Sequence, residues 1–222
     1  MLGCTEQVRT PSGHLSRPRV VVVAPVLNLS GSRGFDPLVV TDLVASEFSS
    51  AGHVSVIPVN RVLAELASHG KGAVESSAEA VALARVFHAD AAVVVAVTEY
   101  DPYDPPVVGL IMQWYAADDG PATAGSDTVA PEPGSAAELS ATDGKTPRWQ
   151  IQRVFDASDG RVIKEIQKFA GRRDAHSSPY GWRRWIKSQE LYVRFCSAAL
   201  IETINGLEAD RRESAQPYEA GS

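Results

Sequence analysis

Three carboxylates, Glu99, Asp101 and Asp104, crowd one short stretch of the chain. Groups so close could hold a hard cation, or share a proton as a paired acid and base. Prolines at 102, 105 and 106 punctuate them and no histidine accompanies them. A rigid, charged turn is expected there rather than a metal or catalytic centre. Residues 28–34 carry Asn28, Ser30, Gly31 and Gly34 just ahead of a helix start. Their backbone donors could face an anion. The stretch lacks dinucleotide spacing and a phosphate-loop lysine, and Asp36 would repel phosphate. A structural turn is the expectation. The five histidines, at 14, 53, 69, 88 and 176, form no His-x-x-x-His or His-Glu-x-x-His pattern. No Gly-x-Ser-x-Gly elbow or Cys-x-x-Cys pair occurs. No catalytic residue, metal ligand or cofactor site is assigned, and the chain is not expected to be an enzyme.

The most unusual surface chemistry lies between positions 161 and 187. Arg161, Lys164, Lys168, Arg172, Arg173, Arg183, Arg184 and Lys187 face only Glu165 and Asp174, a net +6. Tyr180, Trp182 and Trp185 are interleaved near its end. Aromatic and guanidinium side chains anchor protein interfaces. Arg172, Arg173, Tyr180, Trp182, Arg183, Arg184 and Trp185 are therefore the expected interaction residues. Residues 116–146 have the opposite character: Asp118, Asp119, Asp127, Glu132, Glu138 and Asp143 stand against Lys145, a net -5. Poor in aliphatics and rich in Ala, Gly, Pro and Ser, this stretch is expected to be a disordered insertion. It could shield the basic patch, most strongly at low salt.

Cys4 follows Leu2 and Gly3, a spacing like the tail of a bacterial lipoprotein signal, in which the cysteine is acylated. Residues 5–18 are polar and contain proline and glycine, as a tether needs. Cys4 is accordingly the expected lipid anchor and residues 1–18 its flexible tether. The other cysteine, Cys196, lies in an apolar helical stretch and is expected to fill core space. The chain has 222 residues, 44% of them hydrophobic, and a net charge of -6. That balance supports a substantial core and gives no general argument for nucleic-acid binding. No apolar stretch approaches the roughly 20 residues a membrane-spanning helix needs.

The elements that must position these groups follow from pattern. Residues 19–25 read as a strand covered on both faces. Asp36 then Pro37 form a helix start, with Val40, Leu43, Val44 and Phe48 on the apolar face. A short strand is expected over 54–57, a helix over 59–67, and a helix to about Phe87 opened by a capping box of Ser76 and Glu79. Strands follow over 91–98 and 107–115, then 148–155 and 161–169. The last two are expected to form a hairpin turning at residues 156–160, with Gly160 at positive φ. A final helix over 185–204 should end at Gly206, leaving 207–222 as a flexible tail. The expected fold class is α/β with α+β character in its second half: one domain, 19–206, of mixed β-sheet packed against helices.

This order resembles the bacterial envelope family of the TolB amino-terminal domain, with its relatives in the CsgG, FlgO and LpoB group. The likeness begins at Val21, Val22, Val23, Ala24 and Pro25 and the turn Asn28-Leu29-Ser30-Gly31. It continues through residues 84–90 into the strand at 91–98, and through Val154 to Val162 around Asp156 and Gly160. The resemblance implies a non-enzymatic lipoprotein of the periplasm, anchored to the outer membrane through Cys4. Its partners would be a cell-envelope protein or further copies of itself. The 116–146 insertion and the Arg- and Trp-rich segment depart from the family pattern. The alternative is a soluble small-molecule-binding or hydrolytic α/β protein with its site near Asn28, Ser30 and Glu99 to Asp104.

Overall fold

A computed structural model describes residues 18–52, 54–118, 145–173 and 179–215. Cys4 and most of the expected insertion lie outside them. Strand β1 (Arg19–Val23) is followed by a two-residue strand β2 (Leu27–Asn28) and helix α1 (Pro37–Ser50). Next come β3 (Val54–Val56), α2 (Val59–Ser68), α3 (Ser77–Val86), β4 (Ala91–Asp101) and β5 (Val107–Ala116). The chain continues through β6 (Trp149–Asp156), α4 (Gly160–Arg173), a 3-10 turn (Gly181–Arg183), α5 (Arg184–Lys187) and α6 (Gln189–Ala215).

The sheet order is β3-β1-β4-β5-β6, with β2 pairing alongside β4. β1 runs parallel to β3 and β4; β4, β5 and β6 form an antiparallel meander. The fold is thus a mixed α/β arrangement. Helices cover the sheet on both faces. Val21, Val23, Val93 and Val95 meet α1, α4, α5 and α6 on one side. Val22, Ala92 and Val94 meet α2 and α3 on the other. This two-sided burial is why β1 and the first half of β4 read as unbroken apolar runs. Each fully buried valine contributes about 1.5–3 kcal/mol over an exposed one.

The expected caps are present. Asp36 Oδ1 accepts from Leu38 N at 2.9 Å, and Ser76 Oγ from Glu79 N at 3.3 Å. Glu79 Oε2 returns to Glu75 N at 2.9 Å, one residue before the cap.

The second half departs from expectation at three places, the simplest being that the helix expected from 185 is broken at Ser188, whose extended backbone separates α5 from α6. Residues 161–169 are not a strand but part of α4. As a strand they would place Lys164 and Lys168 on the same face as Val162 and Ile166. As a helix, Val162, Ile166, Phe169 and Ala170 share one buried face. Residues 156–160 are therefore a strand-to-helix turn. Gly160 is not among the positive-φ glycines of the described residues and instead begins the helix. Asp159 caps it, accepting from Arg161 N at 2.8 Å. The final helix also passes through Gly206 and ends at Ala215. Its extra turns carry Glu208, which is bound to Arg19 and Trp149. Those tertiary contacts outweigh the cost of a helical glycine, about 1 kcal/mol.

Candidate docking surface

The sheet has two poles, set by β4, which is 11 residues long. At about 3.3 Å per residue it spans roughly 35 Å. Ala91 marks one pole, beside Val21 on β1 and Ala116 at the end of β5. Arg19, where the described chain enters the sheet, is at this end. Asp101 and residues 102–106 mark the other.

α5 and its preceding turn are tied to the second pole. Lys187 Nζ pairs with Asp104, and Tyr100 Oη donates to Gln189 Oε1 at 3.3 Å. Pro179, Tyr180, Arg183, Arg184, Lys187 and Ser188 line a groove there of about 620 Å³. Tyr180 is 75% exposed. Arg183 lies 5.0 Å from the Trp182 ring centroid, within cation–π range. The turn and α5 thus place Arg183, Arg184 and Lys187, the last paired with Asp104, beside an exposed phenol.

The structure divides the seven expected interaction residues. Tyr180, Arg183 and Arg184 share the groove, with Trp182 half-buried behind them. Trp185 is 4% exposed and packs edge-on against Phe169, centroids 4.9 Å apart. It fixes α5 to the core. Arg172 pairs with Glu202 at 2.9 Å on the exposed surface between α4 and α6. Arg173 binds Glu47 through both nitrogens, at 2.6 and 3.2 Å, and lies 5.0 Å from the Phe169 ring. The Glu47 carboxylate is fully buried and also meets Arg194 at 3.1 Å. Arg173 therefore holds α4 to α1.

Lys187, part of the basic stretch but not of the seven, and Ser188, which pattern did not select, complete the groove. The i, i+4 spacing of Arg183 and Lys187 on a short helix was the available signal.

The alternative site falls at the same pole. β2 brings Asn28 beside Val97, two residues from Glu99. The loop satisfies itself: Asn28 Oδ1 accepts from Ser30 N at 3.2 Å and Ser30 Oγ at 2.8 Å, and Asn28 Nδ2 donates to Ser32 O at 2.9 Å. Glu99, Asp101 and Asp104 are exposed. Asp101 accepts from Tyr103 N at 3.0 Å, and Asp104 is taken by Lys187. These carboxylates do not converge. Among the described residues no cluster of three or more His, Cys, Asp or Glu is placed to hold a metal.

No protein-family model matches the chain, and no curated protein does. Among solved structures, the chain is similar to the lipoprotein GNA1162 from Neisseria meningitidis: 17% identity, TM-score 0.44, over 72% of this chain and 99% of that one. It is similar to the LpoB C-terminal domain from Salmonella enterica at 12% identity and TM-score 0.43, over 64% of this chain and 86% of that one. A PelC dodecamer from Paraburkholderia phytofirmans matches at 14% identity and TM-score 0.34, over 69% and 85%. At these TM-scores no function passes from them to this chain.

Proposed function

We propose that this chain is a non-enzymatic, lipid-anchored component of the bacterial cell envelope that works by protein contact. Cys4 is its anchor, placing it in the periplasm at the outer membrane. The groove of Tyr180, Arg183, Arg184 and Lys187 is its docking surface, for another envelope protein or a further copy of itself. The observation that carries this reading is the separation of the poles. Arg19, where the tether joins the domain, and the groove lie at opposite ends of β4. A module held by its first residues would display the groove away from the bilayer. Binding energy would come from burying Tyr180 and Trp182, while the cations steer encounter.

The test is to express the full-length chain in a lipoprotein-competent bacterium, with and without Cys4→Ser. Acylation and membrane fractionation are measured, and neighbours are crosslinked. The wild type should be acylated and sediment with membranes, and Cys4→Ser should be released. Tyr180→Ala combined with Arg183→Gln and Lys187→Gln should weaken partner capture tenfold or more, a loss of about 1.4 kcal/mol or greater, with thermal stability retained. An unmodified native thiol overturns the anchor. Undiminished capture by the triple variant overturns the groove.

A further inference from the structure

The two ends of the sheet differ in charge. We infer that the groove receives the acidic 119–144 stretch of a second copy of this chain, so that copies join head to tail. This rests on the groove being a docking surface and names what docks there.

The groove wall holds Arg183, Arg184 and Lys187 and no acidic residue. Arg183 and Lys187 are exposed. Lys187 is paired with Asp104, but both side chains are more than half exposed, at 64% and 57%. Such a pair is worth about 0–1 kcal/mol, so an incoming carboxylate can compete for the ammonium. Tyr180 adds a hydroxyl donor and an exposed ring.

The opposite charge belongs to the other pole. Residues 119–144, which lie outside the described residues, carry Asp119, Asp127, Glu132, Glu138 and Asp143 and no Lys or Arg, a net -5. They join the end of β5 to the start of β6. Both attachment points are at the first pole, because Ala116 pairs with Ala91 and Trp149 with Trp114. The described side chains there offer no unbalanced charge to hold them: Arg19, Arg148 and Arg211 stand against Asp90, Asp118 and Glu208.

Reach decides between the chain's own groove and a neighbour's. The stretch numbers 26 residues. Leaving and returning, it extends at most roughly 44 Å, against roughly 35 Å along β4. Only its middle, near Glu132, could touch its own groove, and only when almost fully drawn out. Asp119 and Asp143 would stay at the first pole. Charges at the two poles are also about four Debye lengths apart at physiological salt, so they barely attract within one molecule. A second copy removes both limits. The contact joins two different patches, so it does not close as a two-fold pair does, and copies add in a row or ring.

Sedimentation velocity of the full-length chain carrying Cys4→Ser tests this, with acylation removed as a cause of association. At about 0.05 M salt the protein should form species that grow with concentration. At about 1 M, where the Debye length is about 3 Å, it should be monomeric. An acid-neutral variant (Asp127→Asn, Glu132→Gln, Glu138→Gln) and a groove variant (Arg183→Gln, Lys187→Gln) should each self-associate at least tenfold more weakly, with melting temperatures retained. Mixed in equal amounts at low salt, they should form a one-to-one pair and nothing larger, because one keeps the groove and the other keeps the acids. A parent chain that is monomeric at low salt overturns the inference. So does an acid-neutral variant that assembles as the parent does, or a mixture that stays monomeric. Should the groove variant fold poorly, the acid-neutral variant and the salt dependence decide. A monomeric chain whose groove variant still loses a different captured protein overturns the second copy and leaves the groove as a docking surface.

Discussion

Glu47 is a carboxylate removed from water and held by two guanidiniums, those of Arg173 and Arg194. Its own burial is complete, while both arginines keep part of their surface in solvent. The penalties are therefore asymmetric. Losing one arginine leaves Glu47 with the other; losing both strands a buried charge. Arg173→Gln and Arg194→Gln should each cost about 1 kcal/mol, but the double variant about 3–5 kcal/mol, more than their sum. Urea denaturation of the four proteins reads this as a double-mutant cycle, and simple additivity would contradict it. The same pair separates structure from docking, because an Arg173 variant that loses partner capture should also lose stability. Two buried acids set the alkaline limit. Burial pushes the Cys196 thiol well above its ordinary value, and burial pushes the Tyr192 phenol up as well. Tyr192 donates to Phe155 O at 2.9 Å. Both groups keep their protons in the folded chain at pH values where the unfolded chain releases them. Their stabilisation is complete below the thiol's ordinary value, about 8.5, and declines as pH rises above it. Between pH 8 and 10 the wild type should lose stability relative to Cys196→Ala, measured by urea midpoints. A constant difference would contradict the burial argument.

At the scale of elements, Gly109 sits where the β4–β5 pairing shifts register between Val97 and Glu99. An added Cβ would approach Thr98 Oγ1 at 2.7 Å, Glu99 Cβ at 3.0 Å and Glu99 N at 3.1 Å. Only the first is a side-chain tip able to turn aside. Gly109→Ala should therefore cost about 1–3 kcal/mol and disturb the hairpin end that meets Lys187. Thermal unfolding measures the cost, and an unchanged melting temperature would show that the bulge gives way freely. Legibility also divides by element. β1, β4 and the capped helices α1 and α3 were readable because valine runs and Asp36 or Ser76 act locally. α4 was misread because Val162, Ile163, Ile166 and Phe169 offer a few apolar positions to either period, and the lysines between them decide the question only when the opposite face is considered. The end of α6 was illegible because the contacts of Glu208 reach back to Arg19 and Trp149.

Across the whole molecule, the candidate groove was partly visible in sequence and the cluster around Glu208 was not. Tyr180, Arg183 and Arg184 are near neighbours in the chain. Arg19, Trp114, Arg148 and Glu208 come from four separate elements or their flanks and meet only through sheet order. Trp185 and Arg173 looked like surface residues because composition does not tell which side of a helix an indole or guanidinium takes. Arg19 enters the sheet beside the Ala91 end of β4 and the groove is tied to its Asp101 end, so one continuous strand separates them. Were the chain held through Cys4 as proposed, any lean of the domain would swing the far tip through an arc set by the length of β4. On that proposal the stretch between Cys4 and Arg19, rather than any joint within the described sheet, would govern how widely that tip can search for something to grasp.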